Sequence, residues 1–366
     1  MTNEIFECLP TVYAVGNNYQ ILVPVKTTCV MWVRVGEECF FDHSNGILRS
    51  DVTTHKITVP MEKLNQAGEY TVCARRIFER NPYFSEVGEI MEYTSPFRCV
   101  KEDGPVHIYH LSDAHNRVET PVLAGGYFGD ALDLLVLNGD IPNHAGDSVY
   151  FTAIHRIASQ ITKGQIPVVF SRGNHDTRGV AAEKLEEHTP TDDGRSYYTF
   201  HLGSVWGIVL DCGEDKPDAH PEYAHTVCFE HFRREETHFI REVIRNAESE
   251  YLAQGVTYRL AICHIPFSFT PPSPFDIEID TYTEWGRLLK EEIGVDLMLS
   301  GHHHKCYLSE VGSERDHKGQ PCPVVVASRF AEDLFVGGAI TLDNNACHIA
   351  FTDNYGAVQE EYHIAL

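Results

Sequence analysis

Side chains that can bind metal ions follow five separate apolar runs in the second part of the chain. These apolar runs are residues 106–111, 132–137, 166–170, 258–263 and 295–299. The candidate ligands that follow them are Asp113, His115, Asp140, Asn174, His264, His302 and His304. In open α/β sheets, ligands gather beyond the carboxyl ends of the strands. We therefore expect these side chains, although far apart in sequence, to meet in one place.

The chemical types of these side chains form a consistent set. Carboxylates, one amide oxygen and several imidazoles give a mixed oxygen and nitrogen set that suits Mn²⁺, Fe, Zn²⁺ or Co²⁺. The set contains no thiolate, which argues against a structural zinc site. Gly139, Gly173 and Gly301 stand beside candidate ligands and permit sharp turns that bring the backbone close to an ion. Two ions about 3.5–4 Å apart can clamp the attacking and leaving oxygens of a phosphoryl displacement, and a bridging carboxylate is a natural way to hold them.

The ordered motifs D-x-H, G-D, G-N-H-D, H-x-P and G-H-x-H resemble those of the calcineurin-like metallophosphoesterase superfamily across residues 105–310. The resemblance implies a four-layer αββα sandwich and two divalent or trivalent metal ions, with Mn, Fe or Zn expected. The implied ligands are Asp113, His115 and His304 for one ion, Asn174, His264 and His302 for the other, and Asp140 as the bridge. It also implies that His175 acts on the substrate, with Asp176 orienting its ring.

The resemblance leads to a hypothesis of metal-dependent phosphoester hydrolysis. A hydroxide that bridges the two ions attacks phosphorus, and His175 donates a proton to the leaving group or hydrogen-bonds a phosphate oxygen. The G-N-H-D motif favours phosphodiesters slightly over monoesters. Arg172 either contacts the phosphate through its forked guanidinium or forms a surface salt bridge. The alternative function is a non-catalytic metal-binding or protein-interaction module on the same scaffold.

Other residues near these motifs are candidates for supporting roles. Metal-bound imidazoles usually need a hydrogen-bond partner, for which His110 and His144 are candidates. His303, between two candidate ligands, is expected to point away from the site. The segment 213–228 is rich in charge and histidine and interrupts the alternation of strands and helices, and the segment 267–279 carries aromatic residues and prolines just after His264. We expect both either to line the pocket or to be ordinary surface loops.

The first hundred residues predict a separate small β-sandwich of immunoglobulin or fibronectin-III type. Short runs rich in β-branched and aromatic residues alternate there with turn-prone stretches, and they are residues 19–25, 28–35, 56–59 and 70–74. Residues 64–70 resemble a tyrosine corner around Tyr70. The charged turn at 101–105 marks the boundary between a 1–100 sandwich domain and a 105–366 metallophosphoesterase domain.

The second domain predicts helices between its strands. Residues 150–163 and 230–253 each place apolar side chains on one helical face. Strands that alternate with such helices indicate a layered α/β domain, so the overall fold class is α+β/α/β. A β-sandwich ahead of this domain resembles the arrangement of purple acid phosphatases. This chain departs from their motifs, because it has His115 in place of a glycine and Asn143 in place of a tyrosine. A tyrosinate-bound ferric ion is therefore not expected. The motifs are closer to those of the phosphodiesterase branch.

Composition limits the partners and the location. The net charge of −24 disfavours nucleic acid as a partner. The same charge repels anionic substrates, and local cations can offset that repulsion at the site. No apolar run is long enough to cross a bilayer, and the first residues lack the order of a secretory signal. The 11 cysteines lack C-x-x-C spacing and indicate reduced thiols. We expect a cytoplasmic enzyme that acts on a small-molecule phosphoester, without a nucleic-acid or membrane partner, and the oligomeric state stays open.

Overall fold

Between residues 106 and 300 helices separate most of the strands, as the sequence predicts, and residues 301–366 form strands without a helix. The computed structural model describes residues 2–269 and 271–366. The helices are α1 (Thr2–Ile5), α2 (Met61–Ala67), α3 (Glu119–Gly125), α4 (Thr152–Thr162), α5 (Leu185–His188), α6 (Phe229–Arg245) and α7 (Ile279–Arg287), and a π-helical segment (Leu288–Ile293) continues α7.

The strands of the amino-terminal part are β1 (Thr11–Val15), β2 (Asn18–Pro24), β3 (Cys29–Val35), β4 (Glu38–Phe41), β5 (His43–Ser44), β6 (Ile47–Leu48), β7 (Thr54–Pro60), β8 (Glu69–Glu79) and β9 (Glu86–Pro96). Those of the remaining chain are β10 (Val106–Leu111), β11 (Leu134–Asn138), β12 (Pro167–Ser171), β13 (Tyr198–Leu202), β14 (Val205–Leu210), β15 (Tyr258–Cys263), β16 (Leu297–Ser300), β17 (Tyr307–Ser309), β18 (Val324–Val326), β19 (Arg329–Phe330), β20 (Phe335–Asp343), β21 (Ala346–Asp353) and β22 (Val358–Ala365).

The larger of the two main sheets contains the first three strands that lead into candidate ligands. Its order is β22, β21, β20, β10, β11, β12, β1, β2 and β7, with β19 paired to β20. Strands β10, β11 and β12 pair in parallel, so that Tyr109 lies opposite Leu135 and Leu135 opposite Val168. Their carboxyl ends therefore lie along one edge of the sheet.

The second sheet carries the remaining candidate ligands in the same way. Its order is β13, β14, β15, β16, β18 and β17. Strands β14, β15, β16 and β18 pair in parallel, and Ala261 of β15 lies opposite Met298 of β16. The turns after β15 and β16 thus leave one edge of this sheet together, close to the turns of the larger sheet.

The two sheets pack face to face and each is covered by helices on its outer face. Ile108 and Val136 of the larger sheet belong to the same buried cluster as Ile262 and Leu299 of the second. Outside the larger sheet, apolar residues of α3 and α4 are buried against Leu135. Residues of α6 and α7 are buried against the outer face of the second sheet. This layering confirms the predicted four-layer αββα sandwich.

Both predicted helices exist, although their ends differ from the prediction. The segment 150–163 contains α4, which buries Ile154, Ile157 and Ala158 as expected from its apolar face. The segment 230–253 contains α6, which ends at Arg245 and is followed by a short 3₁₀ turn. Because α6 continues into a turn, the apolar pattern beyond residue 245 belongs to loop residues that also contact the core.

The amino-terminal strands form two layers, but one layer belongs to the larger sheet. Strands β4, β3, β8 and β9 form a separate sheet. Met31 of β3 and Val72 of β8 share a buried cluster with Val12 of β1 and Ile21 of β2. Strand β1 pairs in parallel with β12, so the larger sheet crosses the turn at 101–105. The division into domains 1–100 and 105–366, and the immunoglobulin or fibronectin-III type of the first, stay predictions.

Tyr70 joins the two parts of the chain. Its hydroxyl donates a hydrogen bond of 2.9 Å to the carbonyl oxygen of Gly164, 94 residues away. A tyrosine corner would bond to the backbone a few residues upstream, so the predicted corner is wrong. The preceding residues 61–67 form α2 instead of an extended strand connection.

Two global properties follow from the described residues. None of their helices is long and apolar enough to span a membrane. All of the cysteines are unpaired, and buried Cys212 and Cys263 have their sulfur atoms 3.4 Å apart.

We expect Tyr70→Phe to lower the free energy of unfolding by about 1–3 kcal/mol, because the buried carbonyl of Gly164 loses its donor. Urea denaturation followed by tryptophan fluorescence measures the change. Tyr355→Phe is the matched control, since this exposed tyrosine bonds to a carbonyl at the surface. Equal stability of both variants would mean that the Tyr70 bond does not join the two parts.

Candidate metal centre

The predicted ligands lie where the polar edges of the two main sheets meet. Asp113 and His115 follow β10, Asp140 follows β11 and Asn174 follows β12. His264 follows β15, and His302 and His304 follow β16. Hydrogen bonds join the sheets here: His264 Nδ1 donates to the carbonyl of Asn138 at 2.6 Å, and the His302 N–H donates to Asp113 Oδ2 at 3.0 Å.

Asp113, His115 and His304 form one compact group of ligand atoms. His304 Nε2 lies 3.3 Å from Asp113 Oδ1, and the Nε2 atoms of His115 and His304 are 3.1 Å apart. The side chain of His304 is 44% exposed, while Asp113 is fully buried. This group therefore opens to solvent on the side of its histidines.

Asp140, His264 and His302 form the second group. His264 Nε2 lies 3.2 Å from Asp140 Oδ2 and 3.9 Å from Asp113 Oδ1, so the two groups are adjacent. The side-chain oxygen of Asn174 is 2.9 Å from His302 Nδ1. Asp140 also forms a group with His115 and His175, which places its carboxylate between the two sets. The structure thus brings all of the predicted ligands together.

The donor atoms of this centre fit metal ions. Asp113 Oδ1 and His264 Nε2 are buried and have no hydrogen-bond partner, and such groups are costly unless a ligand satisfies them. Burial alone would lower the pKa of His264, but the carboxylates of Asp140 and Asp113 raise it to about 10. The surroundings therefore favour positive charge, as a cation site requires. Oxygen and nitrogen donors without thiolates suit Mn, Fe or Zn.

Three glycines allow the turns to approach one another. A Cβ atom on Gly139 would lie 2.6 Å from the backbone of Gly173 and 2.7 Å from His264 Nδ1. A Cβ on Gly173 would collide with the carboxylate of Asp140, and one on Gly301 with Ser112. The sequence prediction that these glycines bring backbone close to the site is confirmed.

The ligand turns adopt strained backbone conformations. Positive φ angles occur at the candidate ligands Asp113 (53°), His115 (45°), Asp140 (54°), His302 (68°) and His304 (50°). Such angles are uncommon for residues other than glycine and concentrate at functional sites. The hydrogen bonds from the N–H groups of Asp113 and His115 to the carbonyls of Gly139 and Asp140 stabilise this geometry.

His175 lies at the open side of the centre. Its Nδ1 atom is 2.8 Å from the carbonyl of Asn143, so this nitrogen carries a proton and donates it. Its Nε2 atom is 3.9 Å from Asp140 Oδ2, and its ring packs against that of His115. The ring is therefore oriented by a backbone carbonyl, and Nε2 faces the centre.

The expectation that Asp176 orients the His175 ring is wrong. The Asp176 carboxylate instead accepts hydrogen bonds from the N–H groups of Gly173 and Asp140, at 2.6 and 3.1 Å. Burial and the charge of Asp140 raise its pKa to about 8. Asp176 therefore fixes the backbone turns that carry the ligands, while the Asn143 carbonyl orients the His175 ring.

Arg172 lies outside the group of ligand atoms. Its Nε atom is 2.6 Å from Asp211 Oδ2, and its guanidinium lies over the rings of Phe229 and Phe232. It lines a separate cavity of about 250 Å³ that contains none of the predicted ligands. Arg172 therefore forms an ion pair, in a partly buried position. The alternative, that it contacts the phosphate of the substrate, stays a prediction.

His110, His144 and His303 differ in burial and in their hydrogen-bond partners. His110 is fully buried behind the side chain of Asn138, and burial lowers its pKa to about 3. The Nδ1 atom of His144 accepts a hydrogen bond from the backbone of Gly146 at the surface. His303 points away from the ligands, toward the hydroxyl of Tyr307 at 2.6 Å.

Asp215 is a contact of the centre that the sequence did not single out. Its Oδ2 atom lies 3.4 Å from His302 Nε2, and its Oδ1 atom accepts a hydrogen bond from Lys216. Burial alone would raise the pKa of Asp215, but the hydrogen bond with His302 holds it below its usual range. The only sequence signal was the charge of the 213–228 segment. That segment and the 267–279 segment both line a small cavity beside His302.

Comparison with known proteins identifies the class to which this fold and site belong. The profile of the calcineurin-like phosphoesterase family matches residues 106–306, more than half of the chain. The chain therefore belongs to the calcineurin-like phosphoesterase family, and the resemblance seen in the sequence is confirmed. It is a metallophosphoesterase, a metal-binding hydrolase that acts on phosphoester bonds.

Individual relatives are distant. The uncharacterized protein YpbG of Bacillus subtilis (strain 168) is 22% identical over 241 residues, which cover 65% of this chain and 76% of that protein. The purple acid phosphatase PPD1 from yellow lupin (Lupinus luteus) seeds has a TM-score of 0.63 at 12% identity, covering 97% of this chain and 74% of that one. PhoD has a TM-score of 0.59 at 11% identity, covering 99% and 89%. At these identities the two structures show a shared fold, which extends over the amino-terminal strands.

We expect Asp215→Asn to weaken metal binding about ten- to hundredfold, because partners that orient a metal-bound imidazole contribute this much to affinity. Competition with a fluorescent chelator measures the affinity of protein refilled with Mn²⁺ or Zn²⁺. Asp103→Asn, in the exposed turn at 101–105, is the control. Unchanged affinity in Asp215→Asn would show that Asp215 does not support His302.

Proposed function

We propose that the protein hydrolyses phosphodiesters, with a slight preference over monoesters, at a centre of two metal ions. The observation that carries the proposal is the pair of adjacent ligand groups with Asp140 between them. Asp113, His115 and His304 would hold one ion, and Asn174, His264 and His302 the other, with Asp140 shared. When bound, such ions supply Lewis acidity and lower the pKa of a coordinated water.

His175 acts on the substrate in this proposal. The Asn143 carbonyl holds the proton on Nδ1, so the neutral ring presents the lone pair of Nε2 to the centre. When Nε2 is also protonated, it can donate to the leaving oxygen or to a phosphate oxygen. The contact with His115 restricts the ring to this position, and the hydrogen bond from the His175 N–H to Asp140 Oδ1 fixes its backbone.

Charge pairing beside the G-N-H-D turn, which carries His175, supports a diester over a monoester. A monoester at neutral pH carries more negative charge on its phosphoryl group than a diester and gains more from additional cations. The guanidinium of Arg172 is instead neutralised by Asp211, and that of Arg178 by Glu214, at 2.6 Å in each case. A diester needs fewer such contacts around phosphorus.

The proposed setting is the cytoplasm, with a small molecule as substrate. The unpaired cysteines are consistent with a reducing compartment. The net charge of −24 supports a substrate other than nucleic acid, because phosphate-backbone binding relies on a basic surface.

We expect Asp140→Asn to lose metal and activity together, because the amide removes the charge shared by both groups. The Asn oxygen can still accept the His175 N–H, so the fold should persist. The assay compares an aryl phosphate monoester with a bis-aryl diester on metal-stripped protein refilled with Mn²⁺, Zn²⁺ or Fe²⁺, and plasma mass spectrometry counts bound metal. Asp103→Asn serves again as control. A fully active Asp140→Asn protein would contradict the mechanism, and faster monoester hydrolysis would contradict the diester preference.

We expect His175→Ala to lower kcat by about 10²–10⁴, the usual contribution of a positioned proton donor or acceptor. Metal content should remain at the wild-type value, because His175 is proposed as a substrate contact and not as a ligand. His231→Ala, an exposed histidine on α6, is the control. Loss of metal from His175→Ala would instead make His175 a ligand, as its grouping with His115 and Asp140 permits.

A further inference from the structure

Phe330 and Arg117 form a wall beside the exposed ligand group. The ring centroid of Phe330 lies 5.0 Å from that of His304 and 5.6 Å from that of His115. The guanidinium carbon of Arg117 lies 3.9 Å from the centroid of Phe330. Arg117 lies in the turn after β10 and Phe330 lies in β19, so the two residues in contact are distant in sequence.

Arg117 differs from three cations near the centre that are paired with carboxylates. Arg172, Arg178 and Lys216 each have a carboxylate partner, at 2.6, 2.6 and 2.9 Å. Across the part of the chain that the structure describes, Arg117 has no carboxylate partner, and its polar contact is the carbonyl oxygen of Ala114 at 3.5 Å. Its positive charge is therefore not neutralised by the protein.

Packing on Phe330 holds the charge of Arg117 in place. A guanidinium over an aromatic face gains about 0.5–2 kcal/mol from cation–π attraction. Contact with the ring restricts the side chain, while its N–H groups keep their capacity to donate to a ligand. Such a fork matches carboxylate and phosphate oxygens, which accept two parallel hydrogen bonds from it.

We propose that Arg117, held by Phe330, binds a second anionic group of the substrate, a carboxylate or another phosphate, beyond the phosphoester being cleaved. The inference rests on the proposed function, because it places the reacting phosphoryl group at the candidate metal centre. The preferred substrates are then phosphoesters in which one esterifying alcohol carries a further negative charge. In a chain of net charge −24, an unpaired arginine beside the centre also offsets the repulsion of such a substrate.

Binding of unreactive phosphonates tests the proposal without turnover. The probes are alkyl phosphonates that end in a carboxylate, a second phosphonate or a neutral amide, each made as a series of increasing spacer length. Titration calorimetry measures their affinity for the protein refilled with Mn²⁺ or Zn²⁺. Wild-type protein should bind at least one anionic probe at least about tenfold more tightly than its amide analogue, a difference of about 1.4 kcal/mol. Comparison of the two anionic probes tells a carboxylate from a phosphate.

Variants of Arg117 locate the preference. Arg117→Met keeps a long side chain against Phe330 without charge and should bind charged and neutral tails equally, while Arg117→Lys should restore part of the preference. Arg329→Ala is the matched control, because neighbouring side chains of a strand point to opposite faces and Arg329 is exposed. The amide probe should bind equally to all of these proteins, which separates a lost tail contact from a damaged site.

The outcomes distinguish a failure of the Arg117 proposal from a failure of the proposed hydrolysis. Retention of the anionic preference in Arg117→Met, equal loss of affinity for all tails, or absence of phosphonate binding would overturn the role of Arg117. A preference that disappears in Arg117→Met, in a protein that hydrolyses no diester, would support the anion contact and overturn the proposed hydrolysis.

Discussion

Two carboxylates, Asp113 and Asp140, are buried near each other at the edge where the main sheets meet, and His264 contacts both. Negative charges removed from water are stable only when opposite charge and hydrogen bonds compensate for the lost hydration. The imidazoles that supply this compensation come from the opposite sheet. The two sheets must therefore approach closely at this edge, and the glycine turns make that approach possible. The packing of the two sheets, the glycine turns and the positive φ angles of the ligands all allow the buried charges of Asp113 and Asp140 to be compensated.

Sequence patterns predicted the strands of the site well because each strand combines two strong signals. A buried parallel strand is an apolar run, and its polar tail marks the carboxyl end, so Asp113, Asp140 and His264 could be assigned to one site. The structure brings these residues together as expected. The glycines were predictable for the same reason, because only a residue without Cβ fits where two turns touch.

Contacts made by backbone groups or by distant loops were not predictable in this way. The carbonyl that orients His175 belongs to Asn143, and a carbonyl is present at every residue, so it leaves no signature in the sequence. The family resemblance implied that Asp176 orients the His175 ring, but the 3₁₀ turn directs its carboxylate to backbone N–H groups. The pairing of β1 with β12 joins residues about 150 positions apart, and no local pattern encodes such a partner.

That pairing has a consequence for synthesis of the protein on the ribosome. Val12 of β1 lies opposite Pro167 of β12, so β1 must wait for its neighbour to be translated. At about 5–20 residues per second, the interval is roughly 8–30 s. During this time the early strands present an open, apolar edge, and such edges attract other chains. Nascent chains of this enzyme are therefore expected to depend on chaperones until β12 emerges, and the speed of translation through the first half of the gene becomes part of what determines the yield of folded protein.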